Sequence, residues 1–206
     1  MDILGKLFGS QARVKILRLF LLNPLETFDV TMIAVRSKVT PTETRREITL
    51  LKNVGVIVPK VFTKEISSKR GKDIKVIKKR TQGFKLDPAF PLLASLKSLI
   101  ISETPLNRGE IVRRFKGVGK IRFLAISGIF IDEPEARVDV LLVGDGLKKR
   151  LIENILRSIE AEVGKELSYG ILETAEFLYR VSVYDKFVRD VLDTRHDRVI
   201  DKLGVE

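Results

Sequence analysis

Arg45 and Arg46 stand side by side in the stretch VTPTETRREITLLKNVGVI, which covers residues 39–57. Arginine is the side chain best suited to bind guanine edges and phosphates through paired hydrogen bonds. Thr40 and Glu43 form a T-x-x-E capping box with Pro41 at the first helical position, so the spacing predicts a helix that begins at this proline. The arginines would then lie on a helix surface, where the alternative to nucleic-acid binding is a solvated face.

Apolar spacing decides which side chains of this helix point outward. Thr44, Ile48 and Leu51, at steps of four and three, form the stripe that we expect to be buried. An outward arginine can be bidentate to guanine, and a threonine can meet a phosphate or a thymine methyl group. The residues expected to face a major groove are Thr40, Pro41, Thr42, Arg45, Arg46 and Thr49.

The net positive charge of the chain is confined to its first part. The net charge of +11 arises within residues 1–90, which hold 19 basic and 8 acidic side chains, whereas residues 91–206 hold 19 of each. The segment 58–85 alone has ten basic side chains against two acidic ones. Such asymmetry favours a polyanion, and we expect double-stranded DNA as the partner. The candidate phosphate contacts in this segment are Lys64, Lys69, Arg70, Lys72 and Lys75.

Composition excludes several other kinds of site. The chain has no cysteine, which rules out disulfides and thiolate metal sites. No apolar run approaches the roughly 20 residues that span a bilayer, the N-terminus lacks a signal-peptide pattern, and no basic amphipathic helix accompanies the charge. We therefore expect a cytoplasmic protein with no membrane partner.

The order of elements in the first part is typical of a DNA-binding fold. Ser10 can cap a helix that Asn23-Pro24 ends, a short helix should cover 29–37, and a tight turn leads to the arginine-bearing helix. Two β-rich runs around a turn at 67–73 follow. Helices followed by a basic hairpin predict a winged helix-turn-helix domain at 1–88.

A connector is predicted at 89–116. Its helix, at 91–101, is too apolar for a free linker, so it should pack either on the neighbouring domain or on a second copy in a homodimer. From residue 117 to 206 the chain alternates the strands IRFLAIS, VDVLLVGD and ELSYGILE with the helical runs LKKRLIENILRSIEAEVGK and TAEFLYRVSVYDKFVRDVL, and RVIDKL closes it. This pattern predicts a small α/β domain with its own core and, for the whole chain, an α+β protein of two domains.

The chain resembles a prokaryotic type in which a winged-helix DNA-binding domain is fused to a nucleotidyltransferase-like domain of the DNA polymerase β-like superfamily. The first half of the resemblance lies in GSQARVKILRLFLLNP, TPTETRREITLLKNVGVI and the basic hairpin. The second half lies in LAISGIF, VDVLLVGD and LSYGILETAEFLYRVSVYDKFVRDVL. The resemblance implies a transcriptional regulator whose second domain serves dimerisation, sensing of a nucleotide or small-molecule effector, or partner contact.

Active members of that superfamily have a Gly-Ser turn, a D-x-D aspartate pair and a third carboxylate, which together hold two divalent cations. Here the turn is Ser127-Gly128, Arg137 replaces the first aspartate, Asp139 matches the second, and the strand at 167–172 has no carboxylate. The resemblance therefore implies a catalytically inactive domain with no metal and no cofactor. These four residues remain candidates for residual nucleotide binding.

Structural roles are considered for Asp139 and Arg137 beside nucleotide binding. Asp139 is expected to be a turn or capping residue, and Arg137 either pairs with Asp139 or binds a phosphate. His196 has no partner for nucleophilic catalysis, and no catalytic residue is assigned. The alternatives to a DNA-binding regulator are an active metal-dependent nucleotidyltransferase with a nucleic-acid-binding N-terminal domain, and an RNA-binding protein.

Overall fold

The computed structural model describes residues 3–70, 73–101 and 108–205, with side chains described except at 66–70 and 73–76. The protein is α+β with two sheets and divides into two compact units. Unit 1 comprises Met1–Glu103 with Glu160–Lys165, and unit 2 comprises Thr104–Ile159 with Glu166–Glu206. The predicted connector is therefore divided between the units. Within the described ranges, no helix has both the length and the hydropathy that crossing a bilayer requires.

Unit 1 begins with four helices. They are α1 (Ile3–Leu7), α2 (Gln11–Leu22), α3 (Val30–Ser37) and α4 (Pro41–Val54). Side-chain oxygens cap three of them, because Ser10, Asp29 and Thr40 accept hydrogen bonds from the amides of Arg13, Met32 and Glu43. The predicted helices at these positions are confirmed, whereas α1 has no counterpart in the sequence-based prediction.

A long antiparallel hairpin follows α4. Its strands β1 (Ile57–Arg70) and β2 (Asp73–Leu86) have 14 residues each and pair from Ile57 opposite Leu86 to Arg70 opposite Asp73. The predicted turn at 67–73 is too long, because both strands continue into it. The alternating β-branched and basic residues of this segment allow the ladder to extend over most of that range.

The base of the hairpin is bound to the chain segment before α3. Phe28 and Phe84 exchange both backbone hydrogen bonds, with N–O distances of 3.0 and 2.9 Å. The polar groups of Phe84 therefore point away from its β1 partner Pro59, and the missing amide hydrogen of that proline costs no ladder hydrogen bond. Gly83 is required beside this bridge, since a Cβ atom there would lie 2.8 Å from the carbonyl oxygen of Phe28.

A helix after the hairpin, α5 (Leu93–Ile101), also belongs to unit 1. Ile100 is buried in a core that also contains Phe20 and Phe28, whose rings meet edge to face at 5.6 Å. Leu93 and Leu96 pack against the same core while remaining partly exposed. The expectation that the apolar helix after the hairpin packs on its neighbouring domain is confirmed for this face.

Unit 2 is built on a four-stranded mixed sheet. The strands β3 (Lys120–Ile126), β4 (Val140–Asp145), β5 (Tyr169–Glu173) and β6 (Asp197–Asp201) lie in the order β5-β4-β3-β6. Only β4 and β5 are parallel, and α7 (Lys149–Val163) connects them as a crossover helix must. The helix α6 (Arg108–Arg114) precedes the sheet, and a single 3₁₀ turn (Gly128–Phe130) follows β3.

The last helical run is interrupted. It forms α8 (Thr174–Ser182) and α9 (Lys186–Asp193), separated at Tyr184, whose φ of 53° lies in the left-handed region. Both helices pack on the sheet, where Phe123 and Phe177 stack at 5.6 Å and Val188 is buried. The predicted single helix is therefore wrong, since Asp185 caps a new helix by accepting a hydrogen bond from the Val188 amide.

Candidate nucleic-acid interface

The outward face of α4 has the composition that the sequence indicated. Thr44, Ile48 and Leu51 are buried, as their spacing predicted. Only three residues separate α3 from α4, with Lys38 in the left-handed conformation at φ 48°. The structure places on the exposed side every residue expected there, namely Thr40, Pro41, Thr42, Arg45, Arg46 and Thr49.

The start of this face is held by its cap. The Glu43 amide donates to the Thr40 hydroxyl oxygen at 3.3 Å, and that hydroxyl donates to the Glu43 carboxylate at 2.7 Å. The amides of the first turn therefore have a defined geometry at the surface, and the positive end of the helix dipole is at the same place. An anionic group near Pro41 would be favoured electrostatically.

Glu47 determines the orientation of α4 and was missed by the sequence analysis. Its carboxylate is buried and accepts hydrogen bonds from Arg13 Nε at 2.8 Å and from the Ser10 hydroxyl at 2.9 Å. Burial raises the pKa of Glu47, but the hydrogen bonds from Arg13 and Ser10 outweigh it and hold the pKa below the ordinary value of 4.5. A signal was present, because Glu47 adjoins Ile48 and follows Thr44 by three residues on the buried side.

The two arginines have different environments. Arg46 Nη2 lies 3.3 Å from Glu47 Oε1, although the Arg46 side chain remains 70% exposed. In the described part of the chain the Arg45 side chain has neither an ion pair nor a hydrogen bond. Thr49 donates its hydroxyl hydrogen to the Arg45 carbonyl oxygen at 2.9 Å and directs its remaining surface outward. Arg45 is therefore the better placed of the two to bind a base.

The hairpin is anchored beside α4 by an ion pair. Lys64 Nζ lies 2.6 Å from Asp29 Oδ2, which joins β1 to the residue that caps α3. Burial raises the pKa of Asp29, and the hydrogen bonds from Lys64 and from the Met32 amide lower it by more, so that the pKa is below 3.8. Lys64 was expected to contact DNA, but the structure gives it this internal partner.

Both faces of the hairpin carry exposed positive charge. Lys79 lies opposite Lys64 in the ladder, whereas the adjacent pairs that contain Lys78 and Arg80 lie on the other face. Lys78, Lys79 and Arg80 are all exposed. Of the other predicted contacts, Lys69, Arg70 and Lys75 belong to the strands, with side chains outside the described set, and Lys72 lies outside the described residues. Charge on two faces suits phosphates better than base edges.

In unit 2 the structure brings together three of the four residues that the resemblance singled out, namely Ser127, Gly128 and Asp139. Asp139 Oδ1 accepts from the Ile129 amide at 2.9 Å, and Oδ2 accepts from the Ser168 amide at 2.8 Å. Gly128 adopts a φ of 55°, and a Cβ atom there would collide with Asp139. The Ser127 hydroxyl donates to the Arg195 carbonyl oxygen at 2.6 Å. The aspartate thus joins the turn after β3 to the residue before β5.

Arg137 does not make the ion pair with Asp139 that the sequence favoured. Its Nη1 lies 3.5 Å from Asp190 Oδ2, and its guanidinium lies 5.9 Å from the centre of the Phe187 ring. The Asp139 oxygens already bind two amides, and α9 supplies both the carboxylate and the aromatic ring that attract the arginine. The expected pairing of Arg137 with Asp139 is therefore wrong.

Metal ligands are not clustered in the described ranges, where no group of three or more His, Asp or Glu side chains could hold an ion. Comparisons with protein-family models, with curated proteins and with solved structures found no match. The strongest site is the exposed face of α4 with the basic hairpin.

The buried carboxylate makes the stability of unit 1 dependent on pH. Because the pKa of Glu47 is lower in the folded state, its contribution is fully present above pH 4.5 and is lost as the pH falls through the lowered value. We predict that Glu47→Gln reduces the free energy of unfolding by about 1–3 kcal/mol at neutral pH and weakens its decline in acid. Urea unfolding between about pH 7 and pH 3 measures both quantities.

Glu65→Gln is the matched control for this prediction. Glu65 makes only a 3.8 Å pair with Lys78 at the surface, so its replacement should change stability by less than about 1 kcal/mol. Equal effects of the two substitutions would show that the Glu47 cluster, which consists of Glu47 with its donors Arg13 and Ser10, does not determine the stability of unit 1.

Proposed function

We propose that this chain is a cytoplasmic, sequence-specific regulator of transcription that binds double-stranded DNA. Unit 1 acts as a winged helix-turn-helix, in which α4 enters the major groove and the β1–β2 hairpin contacts the flanking backbone. The observation that carries this proposal is the exposed Thr and Arg face of α4 beside a hairpin with basic side chains on both faces. The net charge of +11 within residues 1–90 supports it.

The shape of α4 and the exposed guanidinium of Arg45 support its role as the helix that recognises the DNA sequence. A helix with side chains fits the major groove, which is about 12 Å wide. The capped first turn and the outward threonines suit phosphate and methyl contacts, and Arg45 can offer two donors to the O6 and N7 atoms of guanine. The Glu47 cluster holds the opposite side of α4 in unit 1, so the exposed side is preorganised for docking.

Unit 2 is proposed to be a nucleotidyltransferase-like domain without catalytic activity. Phosphoryl transfer requires carboxylates that are free to hold divalent cations, and both oxygens of Asp139 are engaged by backbone amides. Arg137 places a positive charge where a ligand would be needed. The domain would serve dimerisation, effector sensing or partner contact, with no cofactor.

The hairpin should supply affinity without sequence preference. We predict that the Lys79→Ala/Arg80→Ala double variant binds all duplexes more weakly, and that the slope of log K against log salt becomes shallower by about 1.8 because about 0.9 is lost per phosphate contact. Fluorescence anisotropy over a salt series measures this slope. The control is Lys149→Ala/Arg150→Ala, an equal charge change at exposed positions of unit 2. An identical salt slope in wild type and the hairpin variant would show that Lys79 and Arg80 of the hairpin do not contact DNA.

Sequence preference should depend on Arg45. We predict that Arg45→Ala weakens binding to a preferred site, selected from random duplexes, by about 1–3 kcal/mol, while non-specific binding changes little. Arg46→Ala is the matched neighbour and should cost less, because Glu47 already binds that guanidinium. Equal losses on selected and random DNA would show that sequence is read elsewhere. Preferential competition by structured RNA over duplex DNA at matched salt would favour an RNA-binding protein instead.

Unit 2 should be catalytically silent. Wild-type protein incubated with labelled nucleoside triphosphates, candidate acceptors and Mg²⁺ or Mn²⁺ is predicted to transfer no label. Asp139→Asn should instead lower stability by about 1–3 kcal/mol, because an amide nitrogen would oppose one of the two backbone donors. Glu135→Gln, at an exposed loop position, should leave stability unchanged. Metal-dependent label transfer that disappears in Asp139→Asn would establish the enzyme alternative.

A further inference from the structure

The helix α7 (Lys149–Val163) has residues in both units. It is a single helix of 15 residues. Its residues up to Ile159 belong to unit 2, whereas the segment Glu160–Lys165, which contains the last turn of α7, belongs to unit 1. Each turn of an α-helix is hydrogen-bonded to the next, so unwinding of the first part of α7 would also disturb its last turn.

The last turn of α7 is bound to α2 within unit 1. The final carbonyl groups of a helix have no partner in the helix itself. Here Arg18 Nη1 donates to the Glu162 carbonyl oxygen at 3.1 Å, and Asn23 Nδ2 donates to the Gly164 carbonyl oxygen at 2.8 Å. Arg18 is only 3% exposed, and its Nε also donates to the Ile100 carbonyl oxygen at 3.4 Å. Its charge complements the negative end of the α7 dipole.

Gly164 lets the backbone after α7 come close to α2. Its φ of 87° lies in the left-handed region, and a Cβ atom there would lie 2.5 Å from the carbonyl carbon of Arg18 and 2.7 Å from the Leu19 amide nitrogen. The neighbouring Val163 is buried. Arg18, Asn23 and Gly164 thus form a joint between the two helices, the α7 joint, that leaves no room for a larger residue at position 164.

The same helix α2 also holds α4. Arg13, five residues before Arg18, donates from Nε to the buried Glu47 carboxylate at 2.8 Å, and the α2 cap Ser10 donates to it at 2.9 Å. The 12 residues of α2 span only about 18 Å. The α7 joint and the Glu47 cluster are therefore on one short helix, and a continuous set of hydrogen bonds leads from α7 through α2 to α4.

We propose that α7 couples unit 2 to the DNA-binding surface of unit 1. With the α7 joint bonded, α2 holds α4 in the orientation that binds DNA. A change in unit 2 that unwinds α7 opens the joint and loosens α2 and α4. An effector that favours one form of α7 would therefore shift DNA affinity, and DNA bound to α4 would in turn stabilise the end of α7. The coupling rests on the proposed function only in its last step, the effect on DNA binding.

Hydrogen–deuterium exchange of the full-length chain tests the coupling without DNA. Arg157→Gly and Arg157→Ala remove the same exposed side chain from the part of α7 in unit 2, but only glycine weakens the helix. Amides of α2 and α4 should exchange about two- to fourfold faster in Arg157→Gly than in Arg157→Ala. The matched control is Arg189→Gly against Arg189→Ala on α9, which lies wholly in unit 2. The Arg157 and Arg189 side chains are 63% and 61% exposed, and each lies 3.7 Å from an acidic partner on its own helix.

The α7 joint itself is tested in the same way. In a Gly164→Ala background, where the Cβ atom separates α7 from α2, the two Arg157 variants should exchange alike in unit 1. Asn23→Ala removes one bond without a clash and should reduce their difference, which keeps the test decisive if Gly164→Ala does not fold. The coupling would be overturned by equal exchange of the Arg157 variants in unit 1, by an equal effect of Arg189→Gly there, or by a difference that persists after the joint is opened.

Binding of selected duplex DNA tests the last step. Arg157→Gly should bind about two- to fourfold more weakly than Arg157→Ala, since both variants lose the same charge and differ only in α7. Equal affinities would overturn the transmission from the α7 joint to α4. A wild type that binds no duplex would overturn the proposed function instead, and the exchange difference would still decide whether α7 couples the units.

Discussion

The carboxylate of Glu47 lies in the interior of unit 1, where Arg13 and Ser10 donate hydrogen bonds to it. An ionised group that is removed from water must be paired, and truncation of a buried pair leaves an uncompensated charge. The side chain of Arg13 and the cap of α2 are thereby joined to the middle of α4. Apolar packing by Ile48 and Leu51 could tolerate rotation of the helix, but these directional bonds cannot. The exposed face of α4 therefore has one defined orientation.

The hairpin depends on a comparable set of bonds at its base. The Phe28–Phe84 bridge and the Asp29–Lys64 ion pair both involve the two residues that precede α3. The hairpin is therefore attached to the helices at one place. Gly83 permits the close approach of the Phe28 backbone. These contacts fix the position of the hairpin and do not add to its charge. A basic hairpin without them would not be held at a defined angle to α4.

In unit 2 the carboxylate of Asp139 has a structural role. Asp139 joins the turn at Gly128 to the start of β5 through two amides, and the peptide groups of Asp139 also bond to Ser127 and Ser168. A carboxylate that satisfies backbone donors in this way stabilises the end of the sheet at which β3 ends and β4 and β5 begin. Arg137 is attracted to α9 instead, which adds a contact between the loop before β4 and the last helix.

Local signals in the sequence were enough to predict much of unit 1. The capping residues Ser10 and Thr40, the stripe of Thr44, Ile48 and Leu51, and the β-branched runs of the hairpin each act over a few neighbouring residues, and such signals are readable without a tertiary structure. The exposure of Arg45 and Arg46 follows from the same helical period.

Long-range partners were decided only by the tertiary structure. Glu47 meets Arg13 across 34 residues and Lys64 meets Asp29 across 35, and neither pairing has a periodic signature. The same holds for Arg137, which pairs with Asp190 although Asp139 is closer in the sequence. The Asp139 carboxylate is bound by backbone amides instead. The break at Tyr184 and the continuation of both hairpin strands also depend on packing or pairing that spacing does not reveal. Local periodicity determined which elements form and which faces they expose, whereas the meeting of distant charges determined how those faces are held.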